Sequence, residues 1–219
     1  MQQVDRIEKR RFVGREFLFW LWFESEVFDA TLATSKHGPF GLWLERKLVL
    51  SAEKESTRIT AALPGAGREA KEALLRGQLP QSAGIRIAWR ETETSFVLNA
   101  EQLSLSGLKL QTALGKDEEA PSPLLEEMKG GGRKRKQAPA LPDESDVMRE
   151  AFYERMRLTQ ELEALLEALY ADFVALRLSS LWASAVVPAA RAWAQGRDVD
   201  ADAYRRARTP RSKAQSKRA

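Results

Sequence analysis

The feature that most constrains the fold is one long stretch, residues 143–187, that contains neither glycine nor proline. Apolar side chains recur in it at steps of three and four residues, which places them on one face of an α-helix. These residues are Leu158, Leu162, Leu165, Leu169, Phe173 and Leu176. The pattern predicts a helical region from about 143 to 194, with a kink or end at Pro188. Because so long an apolar face must be covered, we expect it to lie against the N-terminal half of the chain or a second copy of the helix.

The first 112 residues predict a sheet with short helices. The apolar run Phe17–Phe23 favours a buried helix over about 12–28. Alternating apolar residues predict strands over 28–33, 40–50, 57–62, 85–90, 96–100 and 103–110, with a helix over 68–76. Gly107 indicates a bulge in the last strand. The predicted fold class is α+β, a mostly antiparallel sheet with short helices, followed by a long C-terminal helical arm.

Composition divides the chain into four segments. Residues 1–112 form the predicted sheet domain, and 113–142 form a linker rich in glycine, proline and charge, which predicts disorder. Residues 143–208 are the helical region, in which the segment after Gly196 predicts a short helix from about 198 to 208. Residues 209–219 form a basic tail, for which we expect disorder.

Catalysis finds little support in the residue types present. The chain has no cysteine, which excludes disulfides and thiol catalysis and fits a reducing cytosol. Its one histidine, His37, precedes Gly38-Pro39 and is typical of a surface turn. Glu45-Arg46-Lys47 has the Glu-x-Lys pattern of some metal-dependent nucleases, but no acidic residue is placed before it on a neighbouring strand. We therefore predict a protein that is not an enzyme and has no cofactor or metal.

Two basic clusters are the candidate binding residues. The overall charge of +4 conceals a helical region rich in acidic residues, followed by a C-terminal stretch with seven Lys/Arg and no Asp/Glu. Flexible cationic arms of this kind suit nonspecific binding of phosphates through counterion release. A solubilising tail that folds back on its own acidic helix has the same composition. The candidate DNA-binding residues are Arg133, Lys134, Arg135 and Lys136 in the linker, and Arg205, Arg206, Arg208, Arg211, Lys213, Lys217 and Arg218 at the C-terminus.

Two stretches resemble a known family. Residues 12–26, FVGREFLFWLWFESE, and residues 152–158, FYERMRL, with the helix after them, are similar to a divergent branch of the recombination-associated protein RdgC family. The resemblance implies a bacterial nucleoid-associated protein that binds double-stranded DNA with little sequence preference, in a family whose better-known branch forms a ring-shaped dimer around DNA. It also implies that this chain corresponds to a C-terminal part of longer relatives. No DNA-contact residue is assigned from the resemblance.

The residues and the resemblance together favour one function and leave a second open. The first is sequence-independent binding of double-stranded DNA linked to recombination or replication, in a cytoplasmic, nucleoid-associated protein. The second is an oligomerisation or protein-interaction module formed by the apolar helices, without DNA binding of its own. The expected partners are nonspecific duplex DNA and either further copies of the chain or a missing N-terminal half. A membrane partner is not expected, because the most apolar run, Phe17–Phe23, is far too short to span a bilayer.

Overall fold

The predicted α+β class is confirmed. A computed structural model describes residues 2–52, 55–90, 92–110 and 144–208, with side chains from Val13 to Leu110 and from Arg149 to Ala207 within those ranges. The described residues form five α-helices, six strands, one 3₁₀ turn and one π-helical turn. The predicted linker, 113–142, and the tail, 209–219, lie outside the described residues.

The predicted N-terminal helix is confirmed as α1 (Gln2–Val27). Most of its apolar run is buried against the sheet and the C-terminal helices, and only Phe19 within it is half-buried. Phe17, Leu18, Leu21, Trp22 and Phe23 are at most 2% exposed. Trp20, predicted to lie in the core, is 4% exposed. A helix that is apolar all round is stable only when it is buried in this way.

Glycine at position 14 permits the closest backbone approach to α1. A Cβ atom there would lie 1.8 Å from the carbonyl oxygen of Ala100, at the turn after the fifth strand. Glycine inside a helix costs roughly 1 kcal/mol relative to alanine. Its presence at this position is explained by the need to bring the helix against the sheet.

We expect Gly14→Ala to lower the free energy of unfolding by about 1–3 kcal/mol, since a backbone oxygen cannot move aside as a flexible side chain can. The matched control is Gly38→Ala, where no atom lies within 4 Å of a new Cβ. The control is expected to be neutral or to stabilise by about 0.4–1 kcal/mol. Urea unfolding followed by tryptophan fluorescence measures both. An unchanged midpoint for Gly14→Ala would contradict the close contact.

All six strands belong to one antiparallel sheet. They are β1 (Thr31–Leu32), β2 (Phe40–Ser51), β3 (Ser56–Ile59), β4 (Leu79–Trp89), β5 (Thr92–Asn99) and β6 (Ser104–Leu110). The order is β1-β2-β4-β5-β6, and β3 pairs with the same edge of β2 as β1, further along that strand. Helix α2 (Arg68–Leu75) connects β3 to β4 and is followed by Gly77, whose φ is +87°. The sheet is therefore the predicted meander, interrupted by one short helix.

The first predicted strand is wrong in its length. Residues 28–30 form a turn, because Asp29 and Ala30 have φ values of 48° and 60°, in the left-handed region. Only Thr31 and Leu32 pair with β2. The predicted bulge at Gly107 is confirmed by its φ of 62° and by a register shift between β5 and β6.

Helix α3 (Glu144–Arg177) lies against α1 and lines two clefts together with β4, β5 and β6. The predicted stripe is buried: Leu165, Leu169 and Phe173 are 0% exposed. The ring centroid of Phe173 lies 5.5 Å from that of Phe17 and 5.6 Å from that of Trp20. The buried stripe therefore packs against α1 of the same chain, which decides between the two coverings that the sequence allowed.

The expected kink at Pro188 is wrong in its position. The axis turns by 88° between α3 and the segment that starts at Trp182, well before that proline. Ser179 explains the break, because its hydroxyl donates to the carbonyl of Leu176 at 2.7 Å and accepts from the N–H of Leu181 at 3.2 Å. A serine that bonds its own backbone competes with the helical ladder. Pro188 lies in the first turn of α4 (Val187–Ala194), where proline is tolerated.

Ion pairs and indole hydrogen bonds fix the segments around this break. Arg177 donates to Glu16 on α1 at 2.6 Å, and this hydrogen bond raises the pKa of Arg177 above its usual value. Glu26 accepts from the indole N–H groups of Trp22 at 2.7 Å and of Trp193 on α4 at 2.8 Å. The helices after the break are thus held against α1, and residues from both halves of the chain share one core.

Candidate nucleic-acid interface

The last described helix, α5 (Ala201–Arg208), carries the candidate residues that the structure places. Its one buried side chain among the described residues of the helix is Tyr204, which is 4% exposed. The phenol hydroxyl donates to the carboxylate of Glu24 at 2.6 Å, and Glu24 itself is only 1% exposed. The ring lies 5.3 Å from Phe23 and 5.8 Å from Phe28. Tyr204 therefore fixes α5 to α1.

Asp200 caps the start of α5. Its Oδ1 accepts from the backbone N–H groups of Asp202 and Ala203, both at 2.9 Å. The hydrogen bond from Ala203 chiefly, with that from Asp202 and the nearby charge of Arg206, lowers the pKa of Asp200 below its usual value. Caps of this kind satisfy N–H groups that have no partner inside the helix. The helix is thus fixed at its first turn by Asp200 and at its middle by Tyr204.

Two of the predicted DNA-binding residues project from this fixed helix. The side chain of Arg205 is 59% exposed, lies 3.4 Å from Asp202 and stacks 4.8 Å from the ring centroid of Phe28. Arg206 is exposed beside it. Arg208 belongs to the same helix, and its side chain lies outside the described set. An exposed pair such as Arg205–Asp202 contributes only about 0–1 kcal/mol, so phosphate groups can compete for this arginine.

The remaining candidate residues lie outside the described residues. They are Arg133, Lys134, Arg135, Lys136, Arg211, Lys213, Lys217 and Arg218. Helix α5 ends at Arg208, the residue before the first residue of the tail in the sequence.

The sequence interpretation missed the contact that fixes α5. Tyr204 is the only aromatic residue in the charged segment 197–208, and that isolation is the signal that could have identified it. Glu24 gave no such signal, because a glutamate after an apolar run normally marks the polar end of a helix. The burial of Glu24 is explained by its contact with Tyr204, a residue distant in sequence.

Glu45-Arg46-Lys47, the pattern of the nuclease alternative, lies in an irregular part of β2. Residues 45–47 form a bulge opposite Gly84 rather than a regular strand, since Leu44 pairs with Ile85 and Leu48 with Ala83. The Glu45 carboxylate lies 3.1 Å from the guanidinium of Arg86, which also stacks on Trp43 at 4.2 Å. Across the ranges that the structure describes, no group of three or more histidine, aspartate or glutamate residues is placed to hold a metal ion.

A cleft of about 410 Å³ opens between α3 and β6. Its floor is apolar and includes Leu105, Leu166 and Tyr170, whereas Glu163 and Glu167 line its mouth. Negative charge at the mouth repels phosphate. The cleft, with Glu163 and Glu167 in its lining, is therefore not a candidate phosphate site.

Comparisons with known proteins leave the identity open. A scan against protein-family models gives no match for this chain, and a search of curated protein sequences gives no significant similarity. The resemblance to the RdgC family remains a prediction from the residues that carry it.

No single helix in the described part of the chain is both long and apolar enough to cross a membrane. Only the bent pair formed by α3 and the Trp182–Ala194 segment meets that requirement in combined length and composition.

Proposed function

We propose that this protein is a non-enzymatic, sequence-independent binder of double-stranded DNA, linked to recombination or replication. Phosphates are bound by Arg205 and Arg206 on α5 and by the basic tail that follows. The observation that carries the proposal is the fixed position of α5, because the buried Tyr204–Glu24 hydrogen bond of 2.6 Å presents these arginines at one point of the surface. The link to recombination, and the placement on the cytoplasmic nucleoid, rest on the sequence resemblance alone.

The chemistry of this surface favours backbone phosphates over bases. Arg205, Arg206, Arg208 and the tail combine seven cations with no acidic residue after Asp202. Each cation that approaches a phosphate releases condensed counterions, which favours binding without regard to sequence. Tyr204 is the one aromatic residue in this segment, and its burial removes it from base stacking. Duplex DNA, whose bases are already stacked, is therefore the expected ligand.

We expect truncation after Arg208 to flatten the salt dependence of DNA binding. The truncation removes four cations, Arg211, Lys213, Lys217 and Arg218, and leaves the Tyr204 contact intact. If about three of them reach phosphates, a plot of log affinity against log salt becomes shallower by roughly 3 units. Substituting Arg205→Gln and Arg206→Gln in the full chain is expected to remove up to roughly 2 units. Fluorescence anisotropy on two unrelated duplexes at several salt concentrations measures the slopes.

The matched control is Arg155→Gln with Arg157→Gln, which removes two exposed arginines from α3. The control slope should equal that of the unmodified protein. Identical slopes for the truncated and full chains would eliminate the tail as a DNA contact. Undetectable binding by both chains at low salt would overturn the proposed function and favour the second candidate.

The second candidate, an oligomerisation module, is favoured by a different observation. Three large apolar residues at the start of α3 are exposed: Phe152 at 60%, Tyr153 at 58% and Met156 at 44%. Groups of this kind on a soluble surface mark contacts with other proteins. Nothing in this candidate requires DNA, and salt-sensitive retention on duplex DNA separates the two functions.

A further inference from the structure

We propose that the cleft between α3 and β6 is a docking site for an extended, basic segment of another protein, which adds to the sheet as a strand beside β6. The segment carries apolar side chains and an arginine or lysine on the same face. The inference goes beyond the proposed DNA binding, because none of its residues belongs to α5 or to the tail.

Among the described strands, β6 lies at one edge of the sheet. It pairs with β5, and the strand order β1-β2-β4-β5-β6 ends with it. In an edge strand, alternate residues direct their N–H and C=O groups away from the sheet, where an extended peptide can pair with them. The bulge at Gly107 disturbs the later part of the strand. The regular part that a peptide can extend is therefore Ser104–Ser106, beside the cleft.

The described residues leave the inner face of this edge partly open. Leu105 lies directly opposite Leu98 and so shares its face of the sheet. Leu98 is 2% exposed, whereas Leu105 is only half-buried. Both line the cleft of about 410 Å³, and all of the residues that line it are among the described ones. Because neighbouring strands lie about 4.8 Å apart, an added strand places its inward side chains beside Leu105, over the apolar floor.

Charge at the cleft selects a basic segment. Glu163 and Glu167 line the cleft from α3, and both are exposed. They are one helical turn apart, and like charges at this spacing destabilise a helix. Within the described part of the chain, neither carboxylate forms a hydrogen bond or an ion pair, whereas Glu161 on the same helix pairs with Arg90 at 3.4 Å. An arginine or lysine on the inner face of the added strand relieves this repulsion.

These features together identify a segment of another protein as the occupant. The two carboxylates repel the phosphates of a nucleic acid, and a small amine leaves the strand edge unpaired. A second copy of β6 does not fit either. Its one cation, Lys109, lies opposite Ser95, which is three residues from Leu98 along β5. Because side chains alternate between the two faces of a sheet, Lys109 lies on the face away from the cleft.

Fluorescence anisotropy with labelled synthetic peptides and the full chain, without DNA, tests the docking. The first peptide has seven residues, in which leucine, arginine and leucine alternate with four threonines, so that the apolar side chains and the cation share one face. The unmodified chain is expected to bind it with a Kd of about 0.1 mM or less. Glutamate in place of the arginine should weaken binding by about tenfold or more. Methylation of every backbone nitrogen removes the donors to β6, so that peptide should not bind.

Variants of the protein test the two carboxylates. Glu163→Gln with Glu167→Gln should weaken binding of the arginine peptide by about fivefold to tenfold, since two exposed ion pairs are lost. Glu163→Arg with Glu167→Arg should reverse the preference, so that the glutamate peptide binds more tightly than the arginine peptide. The matched control is Glu69→Gln with Glu150→Gln, which removes two exposed carboxylates outside the cleft. Its affinity for the arginine peptide should be unchanged.

Three results would overturn the proposal. They are no binding of the arginine peptide by the unmodified chain, equal binding of the arginine and glutamate peptides, and equal binding of the methylated peptide. The first would mean that another segment of this chain or a second copy covers the edge of β6. All three leave the DNA-binding proposal unaffected, because that proposal is tested with duplexes and without peptide.

Discussion

Replacing Leu165 with alanine is expected to lower the free energy of unfolding by about 2–5 kcal/mol. The side chain is 0% exposed and belongs to the core shared by α1, α3 and the sheet. The same core contains large enclosed rings such as Phe173, so the close-packed surroundings cannot collapse fully into the space left by a leucine. The cost is therefore the lost burial together with the cavity that remains.

The chain offers a control with the same chemical change. Leu178 lies just beyond α3 and is 82% exposed, so Leu178→Ala removes the same atoms from a solvated position. Its effect should fall within about 0.5 kcal/mol of zero. Urea unfolding of the three proteins, followed by circular dichroism, gives the difference. Equal midpoints for the two variants would show that the apolar stripe of α3 is not core.

Replacing Tyr204 with alanine is expected to release α5 from α1. Truncation of a buried aromatic ring costs about 3–5 kcal/mol, and here it also removes the hydroxyl that donates to the buried carboxylate of Glu24. An eight-residue helix has little stability of its own. We therefore expect α5 to unfold locally while the sheet remains folded.

Hydrogen exchange measures this release directly. Amides of α5 should lose about 100-fold or more of their protection in Tyr204→Ala, since each 1.4 kcal/mol corresponds to about tenfold. Tyr204→Phe keeps the ring contacts and loses only the donor to Glu24, so its cost should be about 1–3 kcal/mol. Unchanged protection in Tyr204→Ala would mean that α5 is held by other contacts. In that case the fixed position of Arg205 and Arg206 would need another explanation.

The candidate site was only partly accessible to prediction. Arg205 and Arg206 were identified because charge composition can be read along the chain without knowledge of the fold. The reason that they project together could not be predicted. It depends on the hydrogen bond between Tyr204 and Glu24, which are 180 positions apart. The exposure of Phe152 and Met156 was missed for a related reason. Apolar periodicity does not distinguish helical turns that pack against the rest of the chain from turns that are exposed. Phe152 and Met156 are as apolar as Leu165, but they are exposed whereas Leu165 is buried.

The sequence by itself determined which segments are helices and which are strands. The alternation through β2 and the stripe of α3 are local periodicities, and each period is compatible with only one kind of element once its apolar face is buried. The run Phe17–Phe23 has no such period, and its polar flanks favoured a helix because they extend it beyond the usual length of a strand. The tertiary structure decided where these elements meet and end. The break after α3 depends on Ser179 and on the pairing of Arg177 with Glu16, 161 positions away. Contacts between such distant residues form only when the whole chain is folded, so no local pattern records them.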